Sequence, residues 1–574
     1  KTLNVSNGAT LADITNNGAA TLSSSRAGNV INAANATFSA TGGSQASATN
    51  SGVMTLAGGN KTDGAVTNTG NGSLTLDNST IGGTLTHDGQ NLTVTSNNAS
   101  AGSLAGNGNG TLDGTLTLTK ANDTYNGILS GKGGLALDGG KETLTNHQAY
   151  TGDTTVGQSG DLTLTGSLSG ALVNNGHSAL QDGSAVTGTV TNNDGSLVAN
   201  GARLANLVTN AGTVSLNDSI VRDVSSNGGQ TALAGTSAGT VTNAANATFS
   251  ATGGSQASTT NSGVMTLAGG NKTDGAVTNT GNGSLTLDNS TIGGTLTHDG
   301  QNLTVTSNNA SAGSLAGNGN GTLDGTLTLT KANDTYNGIL SGKGGLTLDG
   351  GKETLTNHQA YTGDTTVGQS GDLTLTGSLS GALVNNGHSA LQDGSAVTGT
   401  VTNNDGSLVA NGARLANLVT NAGTVTLNDS IVKDVSSNGG QTALAGTSAG
   451  TVTNAANATF SATGGSQAST TNSGVMTLAG GNKTDGAVTN TGNGSLTLNG
   501  STIGGTLTHD GQNLTVTSNN ASAGSLAGNG NGTLDGTLTL TKASDTYAGS
   551  LSGNGGLTID GGTEILTGDS TYSG

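Results

Sequence analysis

Proline, cysteine and tryptophan are absent from this 574-residue chain, and aromatic side chains make up only 2 % of it. Thick globular cores are built from bulky and aromatic side chains, so the three or four conventional domains expected at this length are a poor fit. Charge is also scarce, at 9 % of residues, which separates the chain from the charge- and proline-rich composition of disordered proteins. Basic residues number 16 against 34 acidic ones, for a net charge of −18. With no basic stripe to neutralise phosphates, nucleic acid is not an expected partner, and neither is an anionic membrane surface. No apolar run approaches the roughly 20 residues that span a bilayer. A cytosolic protein usually keeps a few thiols, whereas an exported chain that crosses a pore unfolded gains from having none, so the missing cysteine points to export.

What the chain does have is glycine, 102 of them, with Asn, Thr, Ser and Asp around short Leu/Val/Thr runs. Phe38, Phe249 and Phe460 sit in the same phrase, Asn-Ala-Ala-Asn-Ala-Thr-Phe-Ser-Ala-Thr, 211 residues apart. Residues 32–242 and 243–453 differ at four places only: Ala48/Thr259, Ala136/Thr347, Ser215/Thr426 and Arg222/Lys433. The expected organisation is a partial leading repeat (1–31), two full blocks (32–242 and 243–453) and a partial third (454–574), all one continuous array. The chain opens and stops in mid-pattern, at Lys1-Thr-Leu-Asn-Val and Thr571-Tyr-Ser-Gly574, without a signal peptide, as an excised or mature segment would.

A shorter rhythm runs inside each block. Leu180, Val198, Leu216, Leu233, Phe249, Leu267, Leu287 and Val305 recur every 16 to 20 residues, and Val190, Val208, Val224 and Val241 form a parallel series. Apolar and polar residues alternate in runs such as Leu74-Thr75-Leu76, the period of a strand with one buried face. Asn-Gly, Asp-Gly and Gly-Gly pairs supply sharp corners. Short strands returning once per turn predict an all-β fold, a parallel β-helix (β-solenoid) with inward Leu and Val in columns. About 30 coils at ~4.8 Å predict a rod on the order of 150 Å long. A string of β-sandwiches is the competing fold, disfavoured by the short strands and missing aromatics.

One stretch per block breaks the rhythm, from Leu116 to Val156 in the first, and all six Tyr fall in these stretches. Two readings stand: a bulged coil whose Tyr covers a core edge, or a docking knob. The seven His (His87, His147, His177, His298, His358, His388 and His509) reduce to three repeated positions without metal-ligand spacing and read as surface imidazoles. Asp113 and Asp138, in Leu-Asp-Gly phrases, read as corner residues, since tandem Gly-Gly-x-Gly-x-Asp calcium repeats do not occur. Gly235-Thr-Ser-Ala-Gly239 matches a nucleophile elbow by letter but sits in a strand pattern, and Gly106-Asn-Gly-Asn-Gly110 lacks a nucleotide loop's setting. With four Arg and no acidic cluster confined to one coil, an enzyme is not expected; catalytic, cofactor and metal residues are none. Irregular Thr-x-Thr runs such as Thr115–Thr119 argue against ice binding.

Gly134-Leu-Ala-Leu-Asp-Gly-Gly-Lys-Glu-Thr-Leu-Thr-Asn-His-Gln-Ala-Tyr-Thr-Gly-Asp-Thr-Thr-Val156 resembles the passenger-associated repeat of bacterial autotransporters. Its third copy, Gly555–Gly574, is more similar still, while His147-Gln148 and His358-Gln359 depart from the usual Gly-Asn. Phrases such as Val208-Thr-Asn-Ala-Gly-Thr-Val-Ser-Leu-Asn-Asp-Ser219 resemble AIDA-type adhesin passengers. The resemblance implies a passenger exported through the outer membrane and held at the bacterial surface by a β-barrel outside this sequence. It implies attachment to host matrix protein, glycan or cells, or self-association in aggregates and biofilm. A non-adhesive spacer stalk below an upstream tip and a filamentous haemagglutinin-type exoprotein are the alternatives.

Overall fold

A computed structural model describes all of residues 1–574. It contains strands and corners and no helix, as a parallel β-solenoid of about 31 turns. The chain divides into two compact units, Lys1–Leu285 and Thr286–Gly574.

In the first unit each coil lays its strands on those of the coil before, in parallel and in register. Leu22, Ala40, Leu56, Leu76, Val94 and Leu112 are successive partners in one column, all buried. Two residues earlier on the same strands, Ala20, Phe38, Met54, Leu74 and Leu92 make a second column. The large Phe38 and Met54 lie side by side and fill the width that smaller side chains elsewhere leave to Leu. Residues between these columns face out: Thr21, Ser39, Thr55, Thr75, Thr93 and Thr111 form an outer hydroxyl file. It is a single file, flanked by unlike residues such as Val53 and Asp77. A second inner wall stacks Ile14, Val30, Ala48, Val66, Leu85 and Leu104. Each fully buried Leu contributes about 1.5–3 kcal/mol, so a lone coil is marginal and stacking makes it stable.

The second unit is built the same way. Met476, Leu496 and Leu514 are register partners, as are Leu478, Leu498 and Val516, and Val488, Leu507 and Leu526 line the opposite wall.

The sequence columns are out by one residue at two positions. Leu197 and Ala199 point inward, and Val198 lies half-buried on the outer row between Ala179 and Ser215. Val208 likewise faces out between Thr191 and Ser225, leaving Leu207 as the core partner of Val190 and Val224.

The irregular stretch contains the first unit's two longest strands, Leu135–Leu144 and Thr154–Leu164, which pair with a register shift between Leu137 and Gly139. Asp138 and Gln158, at that shift, are exposed. Tyr125, Tyr150, Tyr336, Tyr361 and Tyr547 are fully buried, which corrects the docking-knob reading for these five; Tyr572 is half-buried. The Tyr125 hydroxyl donates to the Gly108 carbonyl, and the Tyr150 hydroxyl pairs with Thr154 Oγ1 at 2.6 Å. Burial raises both phenols well above their ordinary pKa.

Candidate binding furrow

Polar side chains occupy the inside of the coils as well as the outside. Asn16, Asn32, Asn50 and Asn68 are buried in one column, two residues beyond the inward Ile14, Val30, Ala48 and Val66. Each Nδ2 donates to the next Oδ1, at 2.7, 2.7 and 2.6 Å, and the column ends at His87. In the second unit Asn454, Asn472 and Asn490 repeat this and end at His509. His87, His298 and His509 are therefore fully buried, a correction to the surface reading; His147, His177, His358 and His388 are exposed as expected. His87 Nε2 lies 2.9 Å from the Asn109 carbonyl, so Nε2 carries the proton and Nδ1 accepts from Asn68. Burial lowers the imidazole pKa at all three positions. This neutral amide–imidazole column is a structural element, closed to ligands.

A second buried feature escaped the sequence. Ser103 Oγ donates to Glu142 Oε2 at 3.4 Å, and Thr84 Oγ1 donates to Asp123 Oδ2 at 3.1 Å, each tie spanning 39 residues. Glu142 is fully buried and its Oε1 has no partner. Burial, with neighbouring Asp123 adding to it, pushes the Glu142 carboxyl up to about 9, so it is neutral at pH 7. Glu353 repeats the arrangement in the second unit with Ser314, also at about 9. No sequence signal marks it beyond one glutamate at an inward position.

On the outer surface two files of polar residues run beside a column of glycines. Asn193 donates to Asn175 at 3.1 Å, Asn210 to Asn193 at 2.9 Å and Asn227 to Asn210 at 2.9 Å, an external amide ladder. A few residues on, Lys141, Asp161, His177, Ser196 and Thr213 are successive register partners on the outer face. Gly160, Gly176, Gly195 and Gly212 each precede a member of that row. A Cβ on Gly195 would stand 2.2 Å from the Gly176 carbonyl oxygen, so only glycine lets these corners close.

The result is an open furrow of about 610 Å³, lined by Asp161, Asn175, His177, Asp194, Ser196 and Thr213. The second unit carries its counterpart of about 600 Å³, lined by Asp372, Asn386, His388, Asp405, Ser407 and Thr424. Asp161 Oδ1 and Asp372 Oδ1 are buried in the furrow walls without a hydrogen-bond partner. Neither furrow is lined by Phe, Tyr, Trp or an aliphatic side chain. Sequence reading missed them because the lining comes from four successive coils.

Other sequence candidates fall at corners or in strands. Asp113 and Asp138 are exposed, the latter at the register shift of its strand. Ser237 opens the strand Ser237–Asn243, two residues after Gly235, which is in left-handed backbone at φ 58°. Gly106 and Gly110 lie beside His87 and Leu92.

No family model matches the chain, and neither a curated protein nor a solved structure is detectably similar to it.

Proposed function

We propose that this chain is a surface-exposed adhesin passenger of AIDA type, exported through a bacterial outer membrane and serving attachment to host matrix protein or glycan, or to other copies of itself. The observation that carries the reading is repetition: near-identical 211-residue blocks place the same outer files and the same furrow in each unit. Weak contacts repeated along one chain add through effective concentration, so a strong single site is not required. The passenger-associated repeat phrase supports the same reading.

The experiment is bead aggregation with the purified chain, alongside binding to immobilised matrix proteins and glycans. Clumping of coated beads without any added ligand means self-association; dispersed beads that capture matrix protein or glycan mean host attachment. The spacer reading draws support from the outer surface, where large apolar residues such as Ile31, Val53 and Ile220 are exposed singly. Beads that neither clump nor bind, with an intact β-type circular dichroism spectrum, would favour the spacer and overturn the adhesin.

A further inference from the structure

We infer that each furrow is a subsite for an uncharged saccharide chain, one around Asp161 and His177 and one around Asp372 and His388. The inference rests on the attachment reading above and gives it a ligand class.

The argument is one of chemical fit. The lining offers carboxylate acceptors (Asp161, Asp194), an amide (Asn175), an imidazole (His177) and hydroxyls (Ser196, Thr213). Sugar hydroxyls donate and accept at once, so they can satisfy all of these groups. An apolar ligand would find nothing to bury against. An anionic glycan would meet two carboxylates, in a chain whose net charge is already −18. An extended peptide needs pockets for alternate side chains, and the outer row has none.

The length also fits. The lining comes from four successive coils, whose three spacings of ~4.8 Å give about 14 Å, room for roughly three linked pyranose rings. No Phe, Tyr or Trp ring lies in the lining to stack on the sugar, so one furrow binds weakly and the repeated copies supply avidity.

The test uses the full chain against neutral hexose and N-acetylhexosamine oligosaccharides of increasing length, with sulfated and sialylated oligosaccharides in parallel. Binding of neutral chains of three or more units, with two sites per chain by titration calorimetry, is the expected result. His177→Ala with His388→Ala should weaken it roughly tenfold, the worth of one good hydrogen bond. His177→Ala alone should leave one full-strength site, and Lys61→Ala, exposed and outside both furrows, should change nothing. Both histidines are exposed, and unchanged circular dichroism would exclude a folding defect. Absence of neutral-glycan binding, preference for anionic glycans, or binding untouched by the double substitution would overturn the inference. Clumping or matrix-protein capture in that case would leave the attachment reading standing.

Discussion

Asn68 Nδ2 lies 3.0 Å from Nδ1 of His87, nineteen residues further on, and with that contact a buried amide ladder ends in an imidazole. The His ring takes the place of a fifth Asn because its second nitrogen turns aside to the Asn109 carbonyl.

Breaking the ladder in mid-run should be costly. Asn50 accepts from Asn32 at 2.7 Å and donates to Asn68 and to the Ser73 carbonyl. Asn50→Leu leaves those groups buried without their partner, a loss of about 2–4 kcal/mol. A lower urea midpoint checks it, and an unchanged midpoint would mean that the ladder contributes nothing.

Acid should loosen the fold through the imidazoles. The unfolded His protonates near its ordinary 6.5, while His87, His298 and His509 resist protonation because burial lowers their pKa. Their stabilisation is present above pH 6.5 and is lost as pH falls toward the lowered folded value. Thermal unfolding between pH 7 and pH 5 should show the drop, and the triple His→Asn variant should flatten it.

Alkali should act through the carboxyls, with the opposite sign. Glu142 and Glu353 hold their protons to about 9 when folded, against 4.5 as the ordinary value. Their contribution is whole below pH 4.5 and falls away as pH rises toward 9, by at most ~1.4 kcal/mol per pH unit for each group. Glu142→Gln with Glu353→Gln should make the pH 6–9 melting profile shallower; an equally steep profile would refute the buried neutral state.

The block differences make a fourth prediction. Thr259 stands between Val241 and Val277 where the first block has Ala48, and its hydroxyl is buried without a partner, as is that of Thr470. Thr259→Val and Thr470→Val should each stabilise by about 1 kcal/mol, while Ala48→Thr should destabilise to a similar extent. Chemical denaturation of the three variants decides it.

The coil fold was legible because period-two alternation and corner glycines recur at every turn. Register was not legible where apolar residues stand adjacent: Leu197-Val198-Ala199 satisfies a two-residue period in either phase, and the fold places Leu197 and Ala199 inward. The buried Asn column had a readable signal in the recurring Val-Thr-Asn phrase, since a residue two after an inward Val faces inward too. Leu85-Thr86-His87 has that same form, so the buried imidazole was foreseeable. The furrow was not, because neighbours across coils are set by register and not by proximity in sequence.

The inner amide ladder also has a direction. From Asn16 to Asn68 every side chain donates toward the C-terminal coil, and from Asn32 on each accepts from the N-terminal one. Its amide dipoles point one way, and in a dry interior they polarise one another. A half-assembled stack therefore presents unlike faces: bare amide protons at its C-terminal end, bare carbonyl oxygens at its N-terminal end. Each newly arriving coil is met by a group of fixed polarity: one added at the C-terminal end must offer an acceptor at this position, and one added at the N-terminal end a donor.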